Sequence, residues 1–281
     1  MQARKDIILK KLIAVTLAAI VLISAMPVFA TAASFVKVYI DGSPFSGGII
    51  VKNQTTYVAV RAFSREMDSG AAVTYDSGAR TLTVRTSSLD MELTDGKNYI
   101  EANGRYLYYD QPILMQNGVM YAPLMQIYRA FGAKIKWSDS FGGFRLTRGS
   151  GAILSADKFY KSDQVYWLSR IISAEAKGES LRGKIAVGNV ILNRVISPSF
   201  PNTIYGVIFD KKFGVQFTPA SNGTVYQSPT EESVIAAKIC LEGYSVSSGI
   251  LYFVNPQKSP SSWASKNRAY FGKIGNHAFY Y

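Results

Sequence analysis

From Leu181 to Val195 the chain is apolar on nearly every side of a helix. A helix of that kind has no face to give to water, so other elements must wrap around it. The C-terminal part of the chain is therefore expected to be a mainly helical domain with this helix buried at its centre. Just before it, Val165, Leu168, Ile171 and Ile172 recur at helical spacing and predict an amphipathic helix. Ser162 or Asp163 is suited to cap its start and Gly178 to stop it. Glu175 falls on the same apolar stripe, four residues after Ile171. Burial and the negative end of the helix dipole both disfavour an anion there and raise the carboxyl pKa. A carboxyl kept protonated near neutral pH is what a general acid requires. The plainer alternative, a solvated or loop-capping glutamate, stays open on this stretch alone.

Beyond the central helix, Pro198 and Pro201 break the chain, and Asn202 is suited to cap a short helix ending at Phe209. Lys211 to Gln227 is a loop rich in Gly, Gln, Asn and Phe. Ser228-Pro229-Thr230-Glu231 has the form of a capping box for a helix ending at Gly243. The tail from Ile250 to Tyr281 is aromatic and irregular.

The front half has a different texture. Short alternating runs such as Val36, Val38 and Ile40 are followed by turn residues, which predicts strands. A unit is repeated. Tyr57-Val58-Ala59-Val60 followed by Gly70-Ala71 returns as Tyr121-Ala122-Pro123-Leu124 followed by Gly132-Ala133. Each unit reads as strand, short helix (Arg61 to Met67; Met125 to Phe131), turn and strand. This repeat resembles the copper amine oxidase N-terminal-like domain. The resemblance implies a wall-associated stalk or spacer and no copper, and the segment holds no histidine. The expected organisation is a signal peptide over 1–33, the repeat domain over 34–149, a linker over 150–163 and a catalytic domain over 164–281. The overall class is α+β.

Residues 1–33 carry the signal for export. Arg4, Lys5, Lys10 and Lys11 precede an apolar run of about fifteen residues, and small residues follow, with cleavage suited to Ala30 or Ala33. The run is shorter than the roughly twenty residues of a spanning helix, although an uncleaved anchor is the alternative. The formal net charge of +12 suits anionic wall polymers. Export makes a nucleic-acid partner the weakest reading of that charge. One cysteine and one histidine leave no Cys/His metal cluster, and no metal or cofactor is expected.

Residues 165–281 resemble the spore cortex-lytic, SleB/CwlJ type of cell wall hydrolase. The landmarks occur in order: Ser173 to Glu179, Ile185 to Val195, Phe200-Pro201, Gln216-Phe217-Thr218-Pro219 with Asn222-Gly223, Leu251 to Pro256, and Ile274 to Phe279. Ser180 and Val254 depart from the family's usual proline and aromatic. The resemblance implies a lysozyme-like domain acting on peptidoglycan glycan strands, between N-acetylmuramic acid and N-acetylglucosamine, with Glu175 as general acid and base. Hydrolysis normally takes two carboxylates, and Glu179 reads as a turn or capping residue. One clear carboxylate favours a lytic transglycosylase over a muramidase, with spore cortex as substrate and vegetative wall as the alternative. A wall-binding protein without catalysis is the reading from a different class, and a regulatory partner stays open. Gln216, Phe217, Asn222, Tyr252, Phe253 and Asn255 have the amide and aromatic chemistry of a sugar cleft. Asn193 divides between substrate contact and core hydrogen bonding, and His277 reads as structural.

Overall fold

The computed structural model describes residues 36–212 and 214–281. The expected signal peptide lies outside them. Among the described residues no helix is long and apolar enough to cross a membrane.

The repeat forms as its sequence predicts. Strand Thr55–Ala59 leads into helix Val60–Met67 and strand Ala72–Asp76. Strand Val119–Pro123 leads into helix Leu124–Ala130 and strand Lys134–Ser138. The two first strands pair antiparallel, Tyr57 opposite Pro123 and Ala59 opposite Tyr121, so the units meet through equivalent elements. Between them runs a five-stranded antiparallel meander from Ala72 to Tyr108. Its strands bury alternate residues, as Met91 and Leu93 show. Lys37–Ile40 pairs in parallel with Gly143–Thr147 and brings the two ends of this half together. The core includes Phe63, Val84, Leu107, Leu124 and Ile127.

The second half is built as the central helix demands. Leu181–Ile196 packs against helices Ser162–Ala176 and Glu231–Leu241, which also pack on each other. Gly188 permits the close approach. A Cβ there would stand 2.7 Å from Cys240 Sγ and 2.9 Å from Ile172 Cδ1. The caps sit one or two residues from their predicted places. Thr230 accepts from Ser233 N, Thr203 accepts from Gly206 N, and Lys161 takes the cap position before Ser162 without a side-chain bond. In the first two cases the threonine next to the first helical residue is better placed than the Ser or Asn before it. The tail is more regular than its sequence suggests. It forms a three-stranded antiparallel sheet in which His277–Tyr280 lies between Tyr252–Val254 and Tyr270–Ile274. Aromatic side chains pack on both faces of these strands, so the apolar/polar alternation that marks a strand is missing.

Residues 150–163 are ordered against both halves. Ile153 packs on the strand-rich core, Ala156–Phe159 is helical, and the Tyr160 hydroxyl donates to Glu242 Oε1 at 2.7 Å. Glu242 is the junction's centre. Its side chain is 1% exposed and also accepts a fork from Arg105, at 2.7 and 2.8 Å, and a bond from Arg129 at 3.0 Å. Around it, Tyr108 packs tilted against Tyr244 with centroids 4.4 Å apart, and Lys238 Nζ donates to the Gly104 carbonyl at 3.1 Å.

A buried carboxylate that loses one partner costs far more than the pair adds, about 3 kcal/mol or more. Arg105→Ala should therefore lower unfolding free energy by about that amount in urea denaturation. Arg85→Ala, whose pair with Asp90 is more than 60% exposed on both sides, should stay near wild type.

Candidate active site

Ser162–Ala176 ends beside a cleft of about 1070 Å³. Glu175 lines it from the helix's last turn. Gln216, Phe217, Tyr252, Phe253 and Asn255 line it from the loop and the tail sheet. Six of the sequence-predicted site residues are thus brought together. Two are not. Asn222 is exposed, and its Oδ1 accepts from the Thr224 N–H and hydroxyl, so it ends a short helix instead of facing the cleft. Asn193 is buried, and its amide donates to the Ser247 and Ile250 carbonyls at 3.0 and 2.9 Å. Its donors are consumed by backbone, which leaves none for a ligand. Phe217 is a core residue as well as a lining one, at 3% exposure. Asn255 shapes the turn after its strand, its Oδ1 accepting from Gln257 N at 3.0 Å.

Glu175 and Glu179, one helical turn apart in sequence, sit in opposite surroundings. Burial pushes the Glu175 carboxyl up to about 7, against a weaker opposing pull from the Lys258 ammonium. Among the described residues no hydrogen bond holds that carboxyl. Glu179 is also desolvated, but its carboxylate accepts from Asn276 N at 3.0 Å and from Asn276 Nδ2 at 2.9 Å. His277 and Lys184 add positive potential, and the sum holds Glu179 below the usual glutamate range. Gly275 is fitted against this carboxylate. It has φ of 59°, and a Cβ would fall 1.9 Å from Glu179 Oε2. Glu179 therefore ties the hairpin between the last two strands to the turn after the Glu175 helix. That is the structural role its sequence context suggests.

Several cleft residues carry no sequence signal. Lys258 and Trp263 come from the irregular tail. Arg194 lies within the apolar helix, yet its guanidinium reaches the cleft floor and lies within cation–π distance of Phe200, Phe217 and Tyr252, with Cζ to ring centroid 4.8 to 5.3 Å. Burial lowers its pKa to about 10, so it stays charged at neutral pH. His277 reads as structural in sequence but lines the cleft; it is 7% exposed, with Nδ1 3.9 Å from Glu179 Oε1. Burial holds its pKa below the usual imidazole value, against the pull of Glu179. Among the described residues no group of three or more His, Cys, Asp or Glu is arranged to hold a metal ion.

Comparison with known proteins finds matches in two stretches of the chain. Residues 178–280 match the family described as Cell Wall Hydrolase, and residues 38–142 match the copper amine oxidase N-terminal domain. A spore cortex-lytic enzyme of Bacillus cereus is 36% identical over 120 residues, which cover 43% of this chain and 45% of that protein. The cell wall hydrolase CwlJ of Oceanobacillus iheyensis is 28% identical over 124 residues, covering 42% of this chain and 85% of the relative. The catalytic domain of a germination-specific lytic transglycosylase, SleB from Bacillus anthracis, is 34% identical with a TM-score of 0.40, over 43% of this chain and 97% of that domain. The chain thus spans less than half the length of the spore cortex-lytic enzyme it matches.

The Glu179 clamp has a defined pH signature. Its folded pKa is depressed, so its stabilisation is complete above the unfolded glutamate value and is lost as pH falls through the folded one. Glu179→Gln should cost about 1.5–3 kcal/mol at pH 7, the scale of hydrogen bonds to a charged group. Thermal melts of the two proteins should converge as the pH is lowered through the acid range.

Proposed function

We infer that this chain, whose residues 178–280 belong to the cell wall hydrolase family and whose residues 38–142 form a copper amine oxidase N-terminal domain, cuts peptidoglycan glycan strands by lytic transglycosylation. The bond broken is that between N-acetylmuramic acid and N-acetylglucosamine, and spore cortex is the favoured substrate. The observation that carries the reading is one half-buried carboxyl, Glu175, that lines an open cleft with no hydrogen-bond partner among the described residues, and burial there pushes its pKa up to about 7. The other lining carboxylate, Glu179, is committed to Asn276. The names of its relatives, spore cortex-lytic enzyme and germination-specific lytic transglycosylase, point the same way.

In the proposed reaction, protonated Glu175 gives its proton to the glycosidic oxygen as the muramyl C1–O bond breaks and positive charge develops on the ring. The resulting carboxylate then takes the proton of the muramyl 6-hydroxyl as that oxygen bonds to C1. Glu175 ends protonated, no water is consumed, and the new end is a 1,6-anhydro sugar. A pKa close to 7 suits both halves, because the same group must give and recover a proton. Gln216, Tyr252 and Asn255 supply amide and aromatic surface for the sugars. The repeat domain, fixed through Glu242, would present the cutting domain at the wall, where the basic charge suits anionic polymers.

Fragments released from cortex and vegetative peptidoglycan by the full-length protein should carry anhydro-muramyl ends in mass spectrometry. Glu175→Gln should fold and lose at least about 100-fold in rate, the scale of a missing general acid. Wild-type activity should fall as pH rises through about 7, where Glu175 loses its proton. Reducing muramic ends would instead mean hydrolysis. A folded Glu175→Gln with full activity would overturn the assignment.

A further inference from the structure

The cleft does not end at Tyr252. A second groove of about 880 Å³ continues from it, sharing Gln216, Tyr252 and Trp263 and adding Phe200, Arg268 and Tyr281. Two of its aromatic side chains are open to solvent, Trp263 at 57% and Tyr281 at 44% exposure. Its charge has one sign. Lys212 and Arg268 line it, and among the described residues no Asp or Glu does. The Arg268 guanidinium packs on Trp263 at 4.8 Å and Tyr252 at 5.1 Å and donates to the Tyr252 hydroxyl at 3.3 Å. Beneath the same Tyr252 lies the buried Arg194. Its Nε is spent on the Leu251 carbonyl at 2.8 Å, and its Nη1 has no hydrogen-bond partner among the described residues. Among described groups the one carboxylate that acts on Arg194 is Asp210, at longer range than any hydrogen bond, and it lines neither cavity.

Two guanidiniums around one tyrosine, with open aromatic faces beside them, make a surface for a sugar that carries negative charge. Aromatic faces take the apolar side of a sugar ring. A guanidinium already packed against aromatic rings offers a planar fork to a carboxylate with little further ordering. Resting on the peptidoglycan reading above, we propose that this groove is a subsite for the stem peptide of a muramyl residue beyond the cleaved linkage. Arg268 takes a peptide carboxylate, Trp263 and Tyr252 form the platform, and Arg194 keeps the floor positive. The enzyme then favours peptide-bearing strands over bare ones. Arg268 acts in binding and not on the reacting atoms.

The test measures binding without turnover. Full-length Glu175→Gln, with and without Arg268→Gln, is titrated calorimetrically with three soluble glycan fragments of one length. One carries intact stem peptides, the second has the same peptides with carboxylates converted to amides, and the third has had its peptides removed by an amidase. The first should bind about three- to fivefold more tightly than the other two, the range of a partly exposed charge pair. Arg268→Gln should close that gap. Equal affinity for the first and second would show that peptide charge is not read and overturn the subsite. Equal affinity for the first and third would assign recognition to the lactyl carboxylate and overturn the commitment to the peptide. An undiminished gap in Arg268→Gln would remove Arg268 from the site. Binding of none of the three would overturn the glycan reading itself along with the subsite.

Discussion

A row of polar side chains on an otherwise apolar helix holds the cleft together. Asn189 spans Tyr244 O and Val246 N, each at 2.9 Å. Asn193 holds the Ser247 and Ile250 carbonyls, and Arg194 holds the Leu251 carbonyl. The three residues stand one after another along Leu181–Ile196 and fasten the segment that enters the tail sheet. That segment delivers Tyr252 and Phe253 to the wall facing Glu175. Buried amides are costly unless fully bonded, and here each is bonded to backbone that has few other partners. The buried helix thus fixes the separation between the two walls of the cleft as well as filling the core.

Against this frame the chemistry depends on a contrast between two carboxylates. Both are withdrawn from water at the junction of the same two helices. Glu179 is given two donors and becomes a fixed anion that anchors the last hairpin. Glu175 is given desolvation with one distant cation and becomes a proton donor near neutral pH. The helix end, where backbone carbonyls face outward, adds to the penalty on a Glu175 anion. Donor supply rather than burial alone separates the roles of the two groups.

Much of this was legible in the order of residues. The repeat in the strand-rich half, the buried central helix and the stripe leading to Glu175 are all periodic patterns, and periodicity survives tertiary context. The tail sheet was not legible, because its middle strand is buried on both faces and its outer strands carry aromatics without a buried/exposed alternation. Asn193 was half legible. An amide on an apolar helix announces a partner, but sequence does not say whether the partner is substrate or backbone. Asn222 suggested a sugar contact by residue type, and in the structure it ends a short helix. Arg194, Lys258 and Trp263 reach the cleft only through long-range folding, and no local pattern marks them. The Glu242 junction was hidden for the same reason. Its partners Arg105, Arg129 and Tyr160 come from three separate elements.

The central claim is that Glu175 holds a proton in the resting cleft at neutral pH. It is read most directly by carbon NMR of protein labelled at glutamate side-chain carboxyls, with the Glu175 signal assigned from its absence in Glu175→Gln. A titration midpoint near 7 is predicted. A midpoint in the ordinary glutamate range, near 4.3, would mean an ionised Glu175 at neutral pH and would contradict its role as the acid.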